Sequence, residues 1–341
     1  MTRIAYYYRE WSEYIEIDLR LLSRSHDVVA TECPGRWPRP FATWRTIRSA
    51  DVVMSWFASW HAIVPALIAR LLHRPFFVVV GGYDTACLPG IDYGHRRGGF
   101  KAWVAESVMA LATRVIAISE FTVGEVTAMG VPAERIALIP LGLDPARYHC
   151  ADVRDRDLVV TTGGVYRSNL TRKGLAVFVR AAAECPELHF ALVGPWVDDA
   201  IEELRAFAGP NVKFTGWLAH EEKVALLGRA GVVVQASQHE AFGLALAEGM
   251  VCGAVPVVTR AGALPWVAGG TGVVVDSQDA VALAGAIRSA RALAPAAGQA
   301  ARARVLAEFS LERRAERLGR LLAGHDVAGP EAPAGGAERA A

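Results

Sequence analysis

Short apolar runs alternate with segments of helical period from one end of this chain to the other, and that alternation restricts the fold more than any other feature. Runs of four to eight apolar residues separated by amphipathic helices are the signature of βαβ units, hence of parallel sheets covered on both faces. The pattern predicts strands at Arg3–Tyr8, Asp27–Cys33, Asp51–Trp56, Phe76–Gly81, Arg114–Ser119 and Arg135–Pro140. Helices such as His61–Leu72 and Phe100–Ala112 fall between them. A charged stretch, Ala151–Asp157, then interrupts the pattern and reads as a linker. The alternation resumes at Leu158–Thr162, His189–Gly194, Asn211–Gly216, Gly231–Ala236, Ala254–Thr259 and Gly272–Asp276. With 341 residues, two α/β domains are expected: 1–150 and 151–310. A helical segment, 311–324, follows, and 325–341 (Gly/Pro/Ala-rich) is expected to be a disordered tail.

Composition removes several classes of function. With 36 Lys+Arg against 35 Asp+Glu there is no bulk basic field, so a nucleic-acid partner is not expected. No run reaches the 18 apolar residues of a spanning helix, since Pro65 and Arg70 interrupt Ala62–Leu72. The start, Met1-Thr2-Arg3-Ile4, enters a strand without a secretory pattern, which points to a cytoplasmic protein. Peripheral contact with the inner face of a membrane stays compatible with this, although no strongly basic amphipathic helix commits to it. Five scattered cysteines without a CxxC pair are expected to be reduced and buried. The nine histidines show no metal-ligand spacing. Asp155-Arg156-Asp157 has the form DxD but stands in the expected linker, so no metal is assigned to it.

In open parallel sheets, ligands collect beyond the carboxyl ends of the strands, so the loops there are the candidates. One runs Ser237-Gln238-His239-Glu240-Ala241-Phe242-Gly243 into a helix, whose unpaired N–H groups and dipole suit an anion. Glu240 and Glu248 are eight positions apart, about 12 Å along one helix, too far for a shared acid–base pair. Two separate roles on one ligand fit better. A second loop, Gly163-Gly164 to Lys173-Gly174, carries Arg167, Arg172 and Lys173, and Lys173 is one of only four lysines. It is neither a Walker A loop nor GxGxxG. Cations facing the anion-binding helix end would neutralise a diphosphate without a metal. In the first half, Gly81-Gly82-Tyr83-Asp84 and Arg9-Glu10-Trp11-Ser12 follow strands. Ser119-Glu120-Phe121-Thr122 reads as a helix N-cap.

Together these residues resemble a known family. Glu240-Ala-Phe-Gly-Leu-Ala-Leu-Ala-Glu248 is similar to the Glu-x7-Glu motif of retaining GT-B glycosyltransferases, family 4 (glycosyl transferases group 1). Arg167…Lys173-Gly174 resembles that family's diphosphate clamp, and Ile139-Pro140-Leu141-Gly142-Leu143-Asp144 its IPNGVD strand end. The likeness runs from about Val115 to Asp276. It implies an α/β GT-B fold: two facing Rossmann-like domains, with a last helix crossing back to the N-terminal one. It implies transfer of a sugar, with retention and without a metal, from a nucleotide-diphosphate sugar to an acceptor hydroxyl. Arg167 and Lys173 would hold the diphosphate, Glu240 the sugar hydroxyls and Glu248 the ribose. Gly164 and the backbone at Phe242, Gly243 and Leu244 would also contact the donor, with the base near Trp217 and Leu218. Arg9, Glu10, Gly82, Tyr83 and Asp84 would lie on the acceptor side, the acceptor being a carbohydrate, a lipid-linked saccharide or a small molecule. A UDP-sugar epimerase or a non-catalytic nucleotide-sugar binder on the same fold is the alternative.

Overall fold

The computed structural model describes residues 1–324 apart from Arg36, Asp92 and Ala294. The expected tail, 325–341, lies outside the described residues. The chain folds into two compact units. One comprises Met1–Cys87, Gly94–Pro140 and the chain from Arg314 onward; the other comprises Leu88–Tyr93 and Leu141–Arg313. The division after Pro140 falls ten residues ahead of the boundary read from the sequence. A reason is that Leu143 is bridged to Ser310 and Tyr148 is bonded to Glu248, all within the second unit. Residues 88–93 also belong to the second unit, although they interrupt the first in sequence.

The first unit contains β1 (Arg3–Tyr8), α1 (Glu13–Leu22), β2 (Asp27–Glu32), α2 (Pro40–Arg48), β3 (Val52–Trp56), α3 (Trp60–Leu71) and β4 (Phe76–Val80). It continues with α4 (Gly99–Leu111), β5 (Arg114–Ala117), α5 (Glu120–Ala128) and β6 (Ile136–Leu138). The six strands are parallel in the order β2-β1-β3-β4-β5-β6. The central strands β3 and β4, Val-Val-Met-Ser-Trp and Phe-Phe-Val-Val-Val, are buried along their whole length, as a sheet covered on both faces requires. α5 starts with a capping box in which Ser119 Oγ accepts from Thr122 N at 3.1 Å.

The second unit contains β7 (Asp155–Thr162), α6 (Arg167–Arg172), α7 (Leu175–Ala183), β8 (His189–Val193), α8 (Ala200–Phe207), β9 (Val212–Gly216), α9 (His220–Arg229) and β10 (Ala230–Gln235). It continues with α10 (Leu244–Val251), β11 (Val255–Thr259), α11 (Leu264–Ala268), β12 (Val273–Val275), α12 (Ala280–Leu293) and α13 (Ala296–Glu308). Its parallel order is β12-β11-β10-β7-β8-β9. The charged stretch read as a linker is only partly one, since Asp155–Asp157 open β7, with Asp155 in register with Ala230. Asp157 is ion-paired with Arg291.

The two orders differ. Counted from its own first strand, the second sheet runs 3-2-1-4-5-6, whereas the first runs 2-1-3-4-5-6; these are the two common doubly wound orders. Connections therefore change direction between β7 and β10 in the second unit and between β1 and β3 in the first. A crevice opens at the strand ends at each such point.

The last helix, α14 (Leu311–Leu322), buries Leu318 and Leu321, and from Arg314 onward it belongs to the first unit. Arg314 is fully buried there. Its Nε and Nη2 donate to Asp18 at 2.6 and 2.8 Å, and its Nη1 donates to the carbonyls of Ile139 and Pro140 at 2.9 and 2.8 Å. Asp18 also accepts from Trp56 Nε1 at 2.8 Å. A buried pair persists only when its remaining polar atoms are satisfied in this way. Among the described residues no helix is long and apolar enough to cross a membrane. The five cysteines are free, but Cys87 and Cys150 are exposed, contrary to the expectation of burial.

Candidate active site

The crevice between β7 and β10 gathers the charged residues of the second unit's loops. β7 ends in Gly163-Gly164, and Gly194 at the end of β8 lies so close to the Gly163 carbonyl that a Cβ there would sit 2.1 Å from it. Asn169 Nδ2 holds the Gly164 carbonyl at 2.8 Å. α6 is stopped by Gly174 in the left-handed region (φ 69°), where a Cβ would come 2.0 Å from the Ala236 carbonyl. That approach seats Lys173 beside the end of β10.

On the β10 side, Ser237–Gly243 turns into α10. Gly262 (φ 57°) packs against the Glu240 backbone, and Ala263 N donates to the Glu240 carbonyl at 2.8 Å. Lys173 Nζ donates to Glu240 Oε2 at 2.6 Å, and Ser237 Oγ donates to the same oxygen at 3.2 Å. Gln235 Nε2 in turn donates to Ser237 Oγ at 2.8 Å. Burial pushes the Glu240 carboxyl up, but the charge and hydrogen bond of Lys173, with Arg172 and Ser237, outweigh it and hold the group below the usual range. Glu240 is therefore a carboxylate at neutral pH, able to accept hydroxyl hydrogens.

Arg172, named with the loop's cations, is given no role of its own by the sequence. Its guanidinium is buried, donates to Asn169 Oδ1 at 2.5 Å, and lies 4.6 Å from the ring centre of Tyr93, which belongs to this unit. Arg167 stands apart from this cluster. Its exposed guanidinium pairs with Asp199 at 2.8 Å and Glu203 at 3.2 Å rather than with a carboxylate of the cluster. The physical reason is that two carboxylates of α8 and the loop before it already meet its charge.

Glu248, one turn into α10, is buried rather than surface-exposed. Both its partners, Tyr148 Oη at 2.9 Å and Lys223 Nζ at 2.7 Å, donate to Oε1. Neither partner was anticipated, because they lie 100 and 25 residues away. Phe242 packs its ring on Phe309 and Trp266. Gly243 (φ 97°) caps α10 and Leu244 begins it. Trp217 is exposed and Leu218 half-buried in the loop after β9, the edge strand two places from β7.

In the first unit, Arg9 and Glu10 form an exposed pair at 3.0 Å. Gly82 is left-handed (φ 99°), and Tyr83 lies edge-on to His95 with ring centres 4.7 Å apart. Asp84 does not face a ligand. It is fully buried and accepts from the backbone N–H groups of Ala58, Gly81 and Gly82 at 2.9, 3.1 and 2.9 Å, tying the ends of β3 and β4 together. Burial raises its carboxyl to about 6.

Two family models match this chain: residues 156–292 match glycosyl transferases group 1, and residues 9–142 match the glycosyl transferase 4-like domain. The chain belongs to the group 1 glycosyl transferases. Glycogen synthase of Mycobacterium tuberculosis is 26% identical to this group 1 chain over 279 residues, covering 74% of the chain and 66% of the relative, just under two thirds of its length. Among solved structures, Alr3699/HepE of Anabaena in complex with UDP and glucose aligns with a TM-score of 0.78 at 17% identity, covering 95% of this chain and all of that one. Sucrose-phosphate synthase of Thermosynechococcus elongatus aligns with a TM-score of 0.74 at 19% identity, covering 95% and 99%. At these identities the likeness establishes the fold, the two-domain α/β architecture of the GT-B type.

Proposed function

We propose that this group 1 glycosyl transferase moves a sugar from a nucleotide-diphosphate sugar to an acceptor hydroxyl, with retention and without a divalent metal. The observation that carries this reading is the Lys173–Glu240 pair at 2.6 Å, held at the mouth of the β7/β10 crevice beside the start of α10. A nucleotide sugar offers phosphates to the cation and hydroxyls to the carboxylate, so one ligand satisfies both halves of the pair. The likeness to structures described with UDP, glucose and UDP-glucose supports the choice of donor.

In this reading Lys173 and Arg172 meet the diphosphate, and Arg167 joins them by exchanging its exposed, weakly held carboxylates for phosphate oxygens. Glu240 accepts from hydroxyls of the transferred sugar, and Glu248 uses Oε2 for the ribose while Tyr148 and Lys223 steady Oε1. Cleavage of the sugar–phosphate bond passes through an oxocarbenium-like state as negative charge builds on the departing diphosphate. Fixed cations and the amide dipoles of α10 stabilise that charge in place of a metal. Attack from the same face, with the leaving phosphate taking the hydroxyl proton, retains the configuration.

Calorimetric titration with UDP, GDP and ADP tests the site. At least one should bind, and Lys173→Ala should abolish that binding. Absence of binding by all three, or an unchanged Lys173→Ala, overturns the reading. The anomeric configuration of the product, read by NMR, tests retention. Activity after exhaustive chelation tests metal independence.

A further inference from the structure

The first unit has its own reversal of strand order, between β1 and β3, and a cavity of about 290 Å³ lies there. Arg9 reaches it from the end of β1, Ser59 and His61 from the end of β3, Tyr83 from the end of β4, and His95 and Lys101 from the segment that follows. Among the described residues the lining contains no Asp or Glu. Arg9 is ion-paired, among the described residues, with Glu10, on exposed side chains that are easily exchanged.

The two imidazoles can each take up a proton and then donate from both ring nitrogens. His61 Nε2 lies 2.7 Å from the Trp56 carbonyl, which only accepts, so the proton of the neutral ring sits on Nε2. Burial lowers this ring to about 4, with Arg9 and His95 adding to the effect. His95 is lowered by burial and by the charges of Lys101 and Arg9. Nδ1 of each ring is buried without a partner among the described residues. An anion in the cavity offsets the charges of Arg9 and Lys101 and favours a proton on these rings. The rim is aromatic: Trp60 lies 4.4 Å from Phe100 and 5.4 Å from Trp37 between ring centres, and Phe100 stacks on Trp103. Phe100, Trp37 and Trp103 are exposed.

We propose that this crevice binds a phosphate monoester through Arg9, Lys101 and the imidazole of His95, and that the acceptor carries this phosphate. The second clause rests on the reading of the β7/β10 crevice as the donor site; the first does not. Phosphate suits a lining of two permanent cations and two rings able to take up a proton, and the cavity and aromatic rim leave room for the group esterified to it.

The test uses the full chain labelled at histidine, with the signals of His61 and His95 assigned by their loss in His61→Gln and His95→Gln. Inorganic phosphate should shift the His95 and His61 signals. Arg9→Ala combined with Lys101→Ala, both exposed positions outside the core, should weaken that response by about tenfold or more. UDP binding by the double variant should be unchanged, whereas Lys173→Ala should lose UDP and keep the phosphate shifts. Signals that stay still in phosphate, or move equally in the double variant, overturn the proposal. Failure of UDP to bind the unaltered protein overturns only the donor reading. Glucose 6-phosphate and octyl phosphate then separate the sources: tighter binding of octyl phosphate, lost in Trp60→Ala, assigns a lipid phosphate, and the reverse order assigns a soluble sugar phosphate.

Discussion

The two units reach the same kind of crevice by different strand orders and furnish it with different chemistry. In the second, cation meets carboxylate twice, Lys173 with Glu240 and Lys223 with Glu248, at 2.6 and 2.7 Å on largely buried side chains. In the first, Arg9 and Lys101 line a cavity with neutral imidazoles and, among the described residues, no carboxylate. A paired site is preorganised for a ligand that brings both acceptors and donors, because each half of the pair stays compensated until the ligand arrives. A lining with cations alone suits an anion, and its charges stay in contact with solvent. The same parallel-sheet geometry thus supports two kinds of recognition, chosen by which side chains follow the strands.

The sharpest way to probe the contrast starts with the first unit's fully buried ion pair of Arg314 and Asp18. Arg314→Ala leaves Asp18 buried and uncompensated and should cost about 3–5 kcal/mol, read as a lower urea midpoint. A loss below 1 kcal/mol would mean that Asp18 reaches water once its partner is gone. In the second unit, Lys173→Ala should lower kcat/KM by about 100-fold to 1,000-fold, the range for losing one group that stabilises a leaving charge. An equal loss in Arg9→Ala would erase the distinction between the two crevices as donor and acceptor sites.

Protonation offers a finer test within the first unit. Asp84 has its pKa raised from 3.8 to about 6, so it binds its proton more tightly when folded; its contribution is present at low pH and lost as pH rises from about 4 to about 6. His61, lowered from 6.5 to about 4, acts oppositely: its contribution is lost as pH falls over nearly the same window. Each is worth about 3 kcal/mol, so the two largely offset in the unaltered protein. Asp84→Asn should therefore make stability fall more steeply on acidification, and His61→Gln should tilt the slope the other way. Denaturant midpoints from pH 4 to 6.5 read both, and parallel profiles in the two variants would refute the assignment. The smallest effect concerns Arg167. Replacing both Asp199 and Glu203 by alanine frees its guanidinium and should tighten UDP binding by about twofold to fivefold at low salt, with the gain screened away at high salt.

Much of the architecture was legible in advance because the period of hydrophobicity is a local property. Among the described residues all twelve predicted strands appear, most within a residue or two, and the central ones, buried on both faces, are almost wholly apolar. Ser119 reads as an N-cap from its own tetrapeptide and is one. Lys173 and Glu240 could be nominated because each follows a strand, at the place where parallel sheets bind ligands. Asp155–Asp157 were misread as linker because charged residues at the start of a strand carry no apolar signal; only pairing with β10 reveals them.

What a linear reading determines, then, is whatever depends on neighbours in sequence: the parallel α/β class, the position of the loops and the residue types they present. Tertiary structure alone decided which charges meet. It turned Arg167 toward Asp199 and Glu203, brought Arg172 under Tyr93, sealed Asp84 beneath three backbone N–H groups, and joined Arg314 to Asp18 across 296 residues. Electrostatic partners are chosen by distance in space and by burial, and neither is encoded in the spacing of residues along the chain.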